Sequence, residues 1–445
     1  MPVGGGTFMV QNKVLPGAYI NMVSAANAAM AGARGVVALP LELNWGPENQ
    51  ILTITAAEFN QIALKTLGYA PTDQSLLLVR ETLKRAGTLL VYRVNSGGAK
   101  ASATAGGATA TAKYGGTRGN AIKVALLGNA DNADNVDVVT YLDDAEVDSQ
   151  TVAKSGGTSS LKPNDYVTFA GPGPLTAAAA TSLTGGANGT ANGTAYAAWL
   201  SALEVESFGV VGFPGTDATV KALVAAFVER LRNDDGRKVI GVLYQYPAAD
   251  SIGIISVKNG VKLSDGTTLT GDKAVAWVAG ASAGAEINES LTNTAYDGAV
   301  DVDIKYTKSQ YEAAIRAGEF VFYADGGKAR VLSDINTRTT FSGGMSEDWT
   351  GNRVVRVMDG WANEVASIFG ERYMGAQTNS DTGRELFKAD LVALGMEYRE
   401  LDAISGFSSE DITVQQGAGK RDVVVDCALT PNDSMEKLYM TVTVN

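Results

Sequence analysis

Few residues of this sequence have the types and spacing that catalysis or metal binding requires. The chain has no histidine, and its single cysteine is Cys427. Histidine is the commonest general base near pH 7 and the commonest metal ligand, so its absence excludes every Ser–His or Cys–His nucleophile pair. One cysteine cannot form an internal disulfide or a thiolate metal cage. Apolar neighbours predict that Cys427 is a small core residue rather than a reactive thiol.

The remaining chemistry would come from carboxylates. One alternative is a hydrolase or transferase in which a serine acts with Asp217, Asp250 or Asp265. Such an enzyme would require a concave pocket that holds two of these carboxylates with raised pKa values.

Two further motifs lack a residue that their chemistry needs. The run Gly417–Lys420 is followed by Arg421, where a phosphate-binding loop has Ser or Thr, so a hairpin turn is predicted. The acidic stretch 131–153 lacks the glycine of a calcium loop and is predicted to be solvated surface. The sequence therefore predicts no cofactor and no metal site.

Composition is typical of a soluble globular protein. The 445 residues suggest about three domains, with 45% hydrophobic and 19% charged residues. The net charge, 36 − 48 = −12, argues against a nucleic-acid or anionic-membrane surface. The sequence shows neither a secretory signal nor an apolar run long enough to span a membrane, so we expect no membrane insertion and synthesis in a cytoplasm.

The elements that would position these residues are mixed. From 195 to 334, fully apolar strands alternate with amphipathic helices, which predicts a parallel sheet covered by helices. Between two stretches rich in Gly, Ala, Ser and Thr, at 96–120 and 171–194, short strands predict an inserted β-sandwich or barrel. We expect the two stretches to be linkers, because their composition builds no core.

Both ends of the chain have the character of extended arms. Near the C-terminus, Leu438, Met440, Val442 and Val444 alternate with polar or aromatic residues, the period-2 pattern of a strand. This strand either completes a sheet of its own chain or adds to a sheet of a neighbouring subunit. Near the N-terminus, a glycine-rich head precedes a second candidate arm that contains Tyr19, Ile20 and Met22.

Several segments resemble contractile phage tail sheath proteins, most closely those of phages and phage-like particles of Gram-positive hosts. The segments follow the family's order along the chain: Gly32–Leu41 with Trp45–Pro47, Tyr114–Asn120, Val331–Phe341, Asn352–Gly360 and Met435–Val444. The resemblance implies a structural subunit rather than an enzyme. It implies stacked hexameric rings around an inner tail tube, and a contraction that drives the tube through the target envelope for genome ejection.

The resemblance also implies a fold and partners. The fold class would be α/β and α+β multidomain, with a mixed α/β core domain, a subtilisin-like α/β domain, a β-sandwich insertion and strand-exchange arms. The expected parts are an N-terminal arm (1–25), an α/β part of the core (26–98), the insertion with its linkers (99–194), the subtilisin-like domain (195–332), a C-terminal core domain (333–434) and a C-terminal strand arm (435–445).

The expected partners are other copies of the chain, the inner tube, the baseplate and the tail terminator, with no nucleic acid. Arg353, Arg356 and Arg384 are candidates for contact with the tube, on helices predicted at 352–370 and 381–401. The expected location is the virion tail, assembled in the host cytoplasm. Two alternatives remain open: the sheath of a tail-like bacteriocin or other injection particle, and another virion or decoration protein.

Overall fold

The computed structural model describes residues 4–6, 17–19, 35–342 and 345–444. In chain order its strands are β1 (Gly4–Gly6), β2 (Gly17–Tyr19), β3 (Val36–Leu41), β4 (Ile51–Thr55), β5 (Thr88–Arg93), β6 (Ser102–Ala105), β7 (Ala108–Ala112), β8 (Ile122–Gly128), β9 (Asn135–Leu142), β10 (Ala145–Ala153), β11 (Val167–Ala170), β12 (Ala178–Ser182), β13 (Val210–Phe213), β14 (Ile240–Tyr244), β15 (Ile254–Val257), β16 (Val261–Leu263), β17 (Thr268–Leu269), β18 (Ala299–Val302), β19 (Glu319–Phe320), β20 (Phe322–Asp325), β21 (Lys328–Val331), β22 (Ile404–Ser405), β23 (Ile412–Gln416), β24 (Val423–Cys427) and β25 (Thr430–Pro431). The α-helices are α1 (Phe59–Ile62), α2 (Leu77–Leu83), α3 (Gly193–Leu203), α4 (Ala218–Asn233), α5 (Gly271–Gly284), α6 (Lys308–Arg316), α7 (Asn352–Ile368) and α8 (Asp381–Glu400).

The chain divides into two compact units. The large unit contains residues 34–359 and 431–445, and the small unit contains residues 360–430 together with the N-terminal region. Helix α7 therefore contributes its first half to the large unit and its second half to the small unit.

A seven-stranded sheet forms the centre of the large unit. Its strand order is β19-β15-β14-β13-β3-β5-β4, and every pairing is parallel except β4 with β5. Helices α2 and α5 cover one face, and α3 and α4 cover the other, each with its own apolar cluster. The predicted parallel sheet is confirmed, and both faces are buried as such a sheet requires.

Local signals in the sequence determine where these helices begin. The side chain of Asp217 accepts a hydrogen bond from the Val220 amide at 3.0 Å, which caps α4. Thr307 and Gln310 form a reciprocal capping box at the start of α6. Helix α5 is rich in Ala and Gly and is buried all round, so it lies directly on the sheet.

The central sheet crosses the expected domain boundaries, because it combines strands from two segments that were assigned to different domains. The segments 26–98 and 195–332 were expected to belong to different domains, yet β3, β4 and β5 share one sheet with β13, β14, β15 and β19. Strand β3 pairs directly with β13, although more than 100 residues separate them along the chain. Periodicity identifies a parallel strand but not its neighbour in the sheet, because the connection between parallel strands has no fixed length.

The β-sandwich is inserted between β5 and α3. It has one sheet of order β10-β9-β8-β12 and a second of order β11-β7-β6, with apolar side chains packed between them. The expected mixed α/β multidomain fold with an inserted β-sandwich is therefore confirmed.

The expectation that residues 96–120 and 171–194 are linkers without a core role is wrong. They contain β6, β7 and β12, and on β7 the buried residues Ala108, Ala110 and Ala112 alternate with half-buried threonines. Small methyl side chains at period 2 allow the two sheets to approach closely, so a composition that predicts disorder here builds a thin core.

The glycines of these two segments permit close backbone crossings. A Cβ added at Gly189 would lie 1.9 Å from the Ser96 carbonyl oxygen, and one at Gly115 would lie 2.2 Å from the Gly98 carbonyl oxygen. Trp45, which is 1% exposed, reaches from the α/β part of the unit into the sandwich cluster, where its ring meets Tyr114 edge-on. The sandwich is therefore packed against its host.

The small unit contains α8, the second half of α7, and an antiparallel hairpin of β23 and β24. The turn 417–422 closes this hairpin, as the sequence predicts. The core position predicted for Cys427 is wrong, because the side chain is exposed at the last position of β24, in a sheet of two strands. Partial burial of the sulfur, with Asp411 nearby, raises the pKa of Cys427 to about 11, so the thiol stays protonated at neutral pH.

Candidate functional site

The C-terminal segment leaves the large unit at Glu436. The Glu436 carboxylate accepts hydrogen bonds from the Thr292 hydroxyl at 2.6 Å and from the Ser333 hydroxyl at 3.3 Å. Residues 433–444 belong to no helix or strand. The alternative in which this segment completes a sheet of its own chain is wrong for these residues, because none of them pairs with a described strand.

An apolar stripe follows this root. Leu438, Met440, Val442 and Val444 are 85%, 74%, 70% and 90% exposed, and they alternate with Tyr439, Thr441 and Thr443. Four consecutive members of one strand face with this exposure are unusual for a monomer, since contiguous exposed apolar surface marks interaction sites. The stripe has the length and alternation that a strand needs when it pairs with another sheet.

The N-terminal candidates are only partly described. Tyr19 is the last residue of β2, whose backbone pairs in parallel with β1. Ile20 and Met22 lie outside the described residues.

Arg356 and Arg384, two of the candidate arginines, have partners within their own units. Arg356 donates to the Glu289 carbonyl oxygen at 2.5 Å and lies 3.6 Å from the Asp334 carboxylate. Arg384 donates to Asn379 and pairs with Asp381, and its side chain is 12% exposed. Arg353 is half-buried on α7. The sequence does not indicate these partners, because Glu289, Asp334 and Asn379 lie in loops.

The hairpin β23–β24 is an open two-stranded sheet of the small unit. Within the described residues its sheet has two strands, so each strand has one edge without a β partner. Val424 is 47% exposed. An isolated two-stranded sheet is marginally stable in water, and a third strand stabilises it. The sequence predicts this hairpin but carries no signal that marks it as a receptor for an arm.

The three candidate catalytic aspartates are turn and cap residues. Asp217 caps α4, Asp265 accepts a hydrogen bond from the Thr267 amide at 2.8 Å, and Asp250 accepts from the Thr339 amide at 2.7 Å. Burial alone would raise the pKa of Asp250, but the donors of Thr339 and Thr340 outweigh it and lower the pKa. Hydrogen bonds from Thr267 lower the pKa of Asp265. The raised pKa values that a carboxylate enzyme would need are not found for these two residues.

Among the described residues, no group of three or more Asp, Glu or Cys residues is arranged to hold a metal ion. None of the helices in the same ranges is both long and apolar enough to cross a membrane.

Comparison with protein families gives four consecutive matches. The matched families are described as the domain III N-terminal region of the tail sheath protein Gp18 (residues 34–94), the phage tail sheath β-sandwich domain (96–188), the phage tail sheath central domain (189–337) and the phage tail sheath C-terminal domain (345–445).

Two full-length relatives come from Bacillus subtilis strain 168. The phage-like element PBSX protein XkdK is 37% identical, with 100% of each chain covered. The uncharacterized protein YqbK is 38% identical over 99% of this chain and 100% of its own length.

Solved structures show the same fold. The sheath tail protein of Desulfitobacterium hafniense is 43% identical and matches with a TM-score of 0.85 over 95% of this chain and 99% of its own. The sheath tail protein of Listeria innocua is 36% identical, with a TM-score of 0.79 over 94% and 97%. The contracted helical sheath of the anti-feeding prophage is 13% identical and shares the fold, with a TM-score of 0.55 over 97% and 99%.

Proposed function

Because the chain belongs to the phage tail sheath protein family and is a tail sheath subunit of a virion tail, we propose that it assembles as stacked hexameric rings around an inner tail tube. The assembled sheath contracts and drives the tube through the envelope of the target cell for genome ejection. Subunits are made and assembled in the host cytoplasm. The partners are other copies of the chain, the tube, the baseplate and the tail terminator.

The C-terminal segment 437–444 is the arm that joins neighbouring subunits. The observation that carries this proposal is the stripe of Leu438, Met440, Val442 and Val444, which the isolated chain leaves exposed. Each backbone hydrogen bond of an added strand contributes about 1 kcal/mol net, and burial of the stripe adds to it. The root at Glu436 fixes where the arm leaves its own unit, so the link persists while the units reorient.

The hairpin β23–β24 of a neighbouring copy is the proposed receptor. Its open edges offer unpaired amide and carbonyl groups, and half-exposed Val424 offers apolar surface beside them. Strand addition satisfies both sets of groups at once. The N-terminal arm, with Tyr19, Ile20 and Met22, is proposed to pair in the same way.

The α/β region 195–332 is proposed to be subtilisin-like in shape only. A parallel sheet covered by helices on both faces supports this shape. The sequence has no histidine, so a Ser–His–Asp triad cannot form. The free energy of contraction then comes from new contacts between neighbouring subunits, summed over many rings. The chain acts as a structural subunit rather than an enzyme.

We place the contact with the tube on α7 or α8. Arg353, Arg356 and Arg384 are the proposed contact residues, and the internal partners of Arg356 and Arg384 hold these two side chains in place.

Electron microscopy of the expressed full-length chain tests the proposal. We expect hollow striated tubes from the wild type. Deletion of residues 438–445 is expected to abolish the tubes and leave a folded monomer with unchanged melting temperature, whereas Thr441→Ser, on the opposite face of the same arm, is the control that keeps them. Normal tubes after the deletion would contradict the strand-exchange proposal.

A second candidate function shares the same subunit. The relative from the phage-like element PBSX is 37% identical, with 100% of each chain covered. This similarity supports a tail-like bacteriocin or other injection particle as the alternative to an infective phage. The test is isolation of the native particle. A capsid that contains the phage genome is expected for an infective phage, and a particle without that genome is expected for the alternative.

A further inference from the structure

Outside residues 433–444, two large apolar side chains of the described residues are more than half exposed. Val205 is 87% exposed and belongs to the large unit, and Met374 is 66% exposed and belongs to the small unit. Their surroundings are opposite in shape and in charge. Val205 is on a projecting turn between two glutamates, and Met374 is at the mouth of a pocket with basic residues.

The Val205 turn is held rigidly. It follows the last residue of α3, and Arg237 donates one guanidinium hydrogen bond to the Glu204 carbonyl oxygen at 2.9 Å and another to the Glu206 carbonyl oxygen at 2.5 Å. The same guanidinium lies over the Phe208 ring, 5.4 Å from its centroid. Because both carbonyl groups that flank Val205 accept hydrogen bonds from one guanidinium group, the backbone of the turn is held in place and presents the valine side chain to solvent. We call residues 203–207 the acidic knob.

The charges of the acidic knob are partly free. Glu204 forms an ion pair with Arg230. Glu206 has no ion-pair partner among the described residues, so its carboxylate is available beside the exposed valine.

The pocket beside Met374 has an aromatic wall. Its volume is about 430 Å³, and its lining includes Phe369, Tyr373 and Phe387. The ring of Phe387 lies 5.4 Å from that of Phe369 and 4.8 Å from that of Tyr373. We call this the aromatic pocket. Its dimensions exceed those of a valine side chain, so it has room for the valine and its neighbouring backbone.

Two cations line the aromatic pocket without a partner. Lys420 and Arg421 come from the turn of the hairpin β23–β24, and neither has an ion-pair partner in the described part of the chain. The turn itself is fixed, because the Asn379 side-chain amide donates to the Lys420 and Asp422 carbonyl oxygens at 3.1 and 2.9 Å. The pocket thus combines an apolar wall with a basic rim.

We propose that the acidic knob of one copy of this chain docks into the aromatic pocket of a second copy, with Val205 against the aromatic wall and Glu206 facing Lys420 and Arg421. The proposal rests on the proposed self-assembly and names a contact for it that is separate from the C-terminal arm. A second copy is favoured over other occupants because the acidic knob is convex and negatively charged, whereas the pocket is concave and has a basic rim. The two surfaces differ, so the contact is heterologous and propagates into rings or helical stacks.

Cysteine crosslinking tests the contact directly. Two variants are prepared separately in a Cys427→Ser background, one with Val205→Cys and one with Met374→Cys. The two preparations are then mixed and mildly oxidised. We expect a disulfide-linked dimer from the mixture and a far weaker dimer band from either preparation alone. The absence of a dimer from the mixture overturns the proposal.

A charge exchange provides the second test. Glu206→Lys and Arg421→Glu should each raise the critical concentration for assembly, by about tenfold for a close charge pair of roughly 1.4 kcal/mol. The double variant Glu206→Lys with Arg421→Glu should restore most of the loss. Leu127→Ser, which changes a half-exposed residue of the sandwich, is the control expected to assemble normally. Additive losses in the double variant overturn the pairing.

The two proposals fail in distinguishable ways. If Val205→Asp assembles like the wild type, the knob proposal is wrong and the sheath proposal stands. If Val205→Asp assembles normally while Met374→Asp loses binding of the tube, the pocket receives the tube instead, which also overturns the knob proposal. If the wild type forms no tubes, the assembly proposal fails, and the crosslinking experiment still decides whether the knob and the pocket meet.

Discussion

The alternation of the C-terminal arm makes a prediction at the level of single residues. Val442 and Thr443 are neighbours in sequence but face opposite sides of an extended strand. Val442 is 70% exposed in the isolated chain, and full burial of a valine side chain contributes roughly 1.5–2 kcal/mol. Val442→Ser should therefore weaken each arm contact by about 1–1.5 kcal/mol, which raises the critical concentration for assembly about five- to tenfold.

The control for this prediction is Thr443→Ser, which removes a methyl group from the opposite face. The assay is the concentration of unassembled protein left after ultracentrifugation, measured together with the melting temperature of dilute, unassembled chain. We expect Val442→Ser to change the first quantity and not the second. Equal effects of the two substitutions would refute the alternation. A lower melting temperature of the unassembled Val442→Ser chain would show that the arm packs against its own chain, which would also refute the reasoning.

Three further predictions concern the large unit. Trp45→Ala removes a fully buried ring at the junction with the sandwich, and we expect a loss of about 3–5 kcal/mol in unfolding free energy and a separate melting step for the sandwich, both measured by calorimetry. Arg232→Met leaves the Asp359 carboxylate without its bidentate partner, and chemical denaturation should show a loss of about 3–5 kcal/mol. Burial would raise the pKa of Asp297, but hydrogen bonds that include one from Arg85 lower this pKa in the folded state. The ionised Asp297 therefore stabilises the fold above the unfolded pKa of about 3.9, and this stabilisation is lost as pH falls through the lower folded pKa. The difference in unfolding free energy between the wild type and Asp297→Asn should therefore narrow when denaturation is repeated near pH 3.

Local elements were predictable because their signals are local. Thr307 and Gln310 have the spacing of a capping box, and both hydrogen bonds of that box are present at the start of α6. Short strands were predicted between the two stretches rich in Gly, Ala, Ser and Thr, and β8, β9 and β10 lie there. These patterns report which face of an element is buried, and burial of one face is what forms the element.

Features that depend on distant backbone were not predictable. Alanine, threonine and glycine in the stretch 96–120 gave the composition of a flexible linker, yet Ala110 is 2% exposed in the sandwich core. The reason is the second sheet, which approaches closely enough to bury a methyl group. Cys427 shows the opposite error, since its apolar neighbours indicated a core but its sheet ends after two strands. Composition indicates whether a segment is suited to a core, but not whether another sheet or helix lies close enough to cover it.

The candidate site shows the same distinction. Sequence periodicity identified the arm, and it left open whether the arm pairs within the chain or outside it. The structure favours pairing outside the chain, because the polar groups at the root are satisfied while the apolar stripe beyond Glu436 is not. The three catalytic candidates behave in the opposite way, because each accepts a hydrogen bond from a backbone amide. The donors are the amides of Val220 for Asp217, Thr339 for Asp250 and Thr267 for Asp265. In this chain the carboxylates considered for chemistry are satisfied internally, and the exposed apolar side chains are the groups that we propose to pair with another copy.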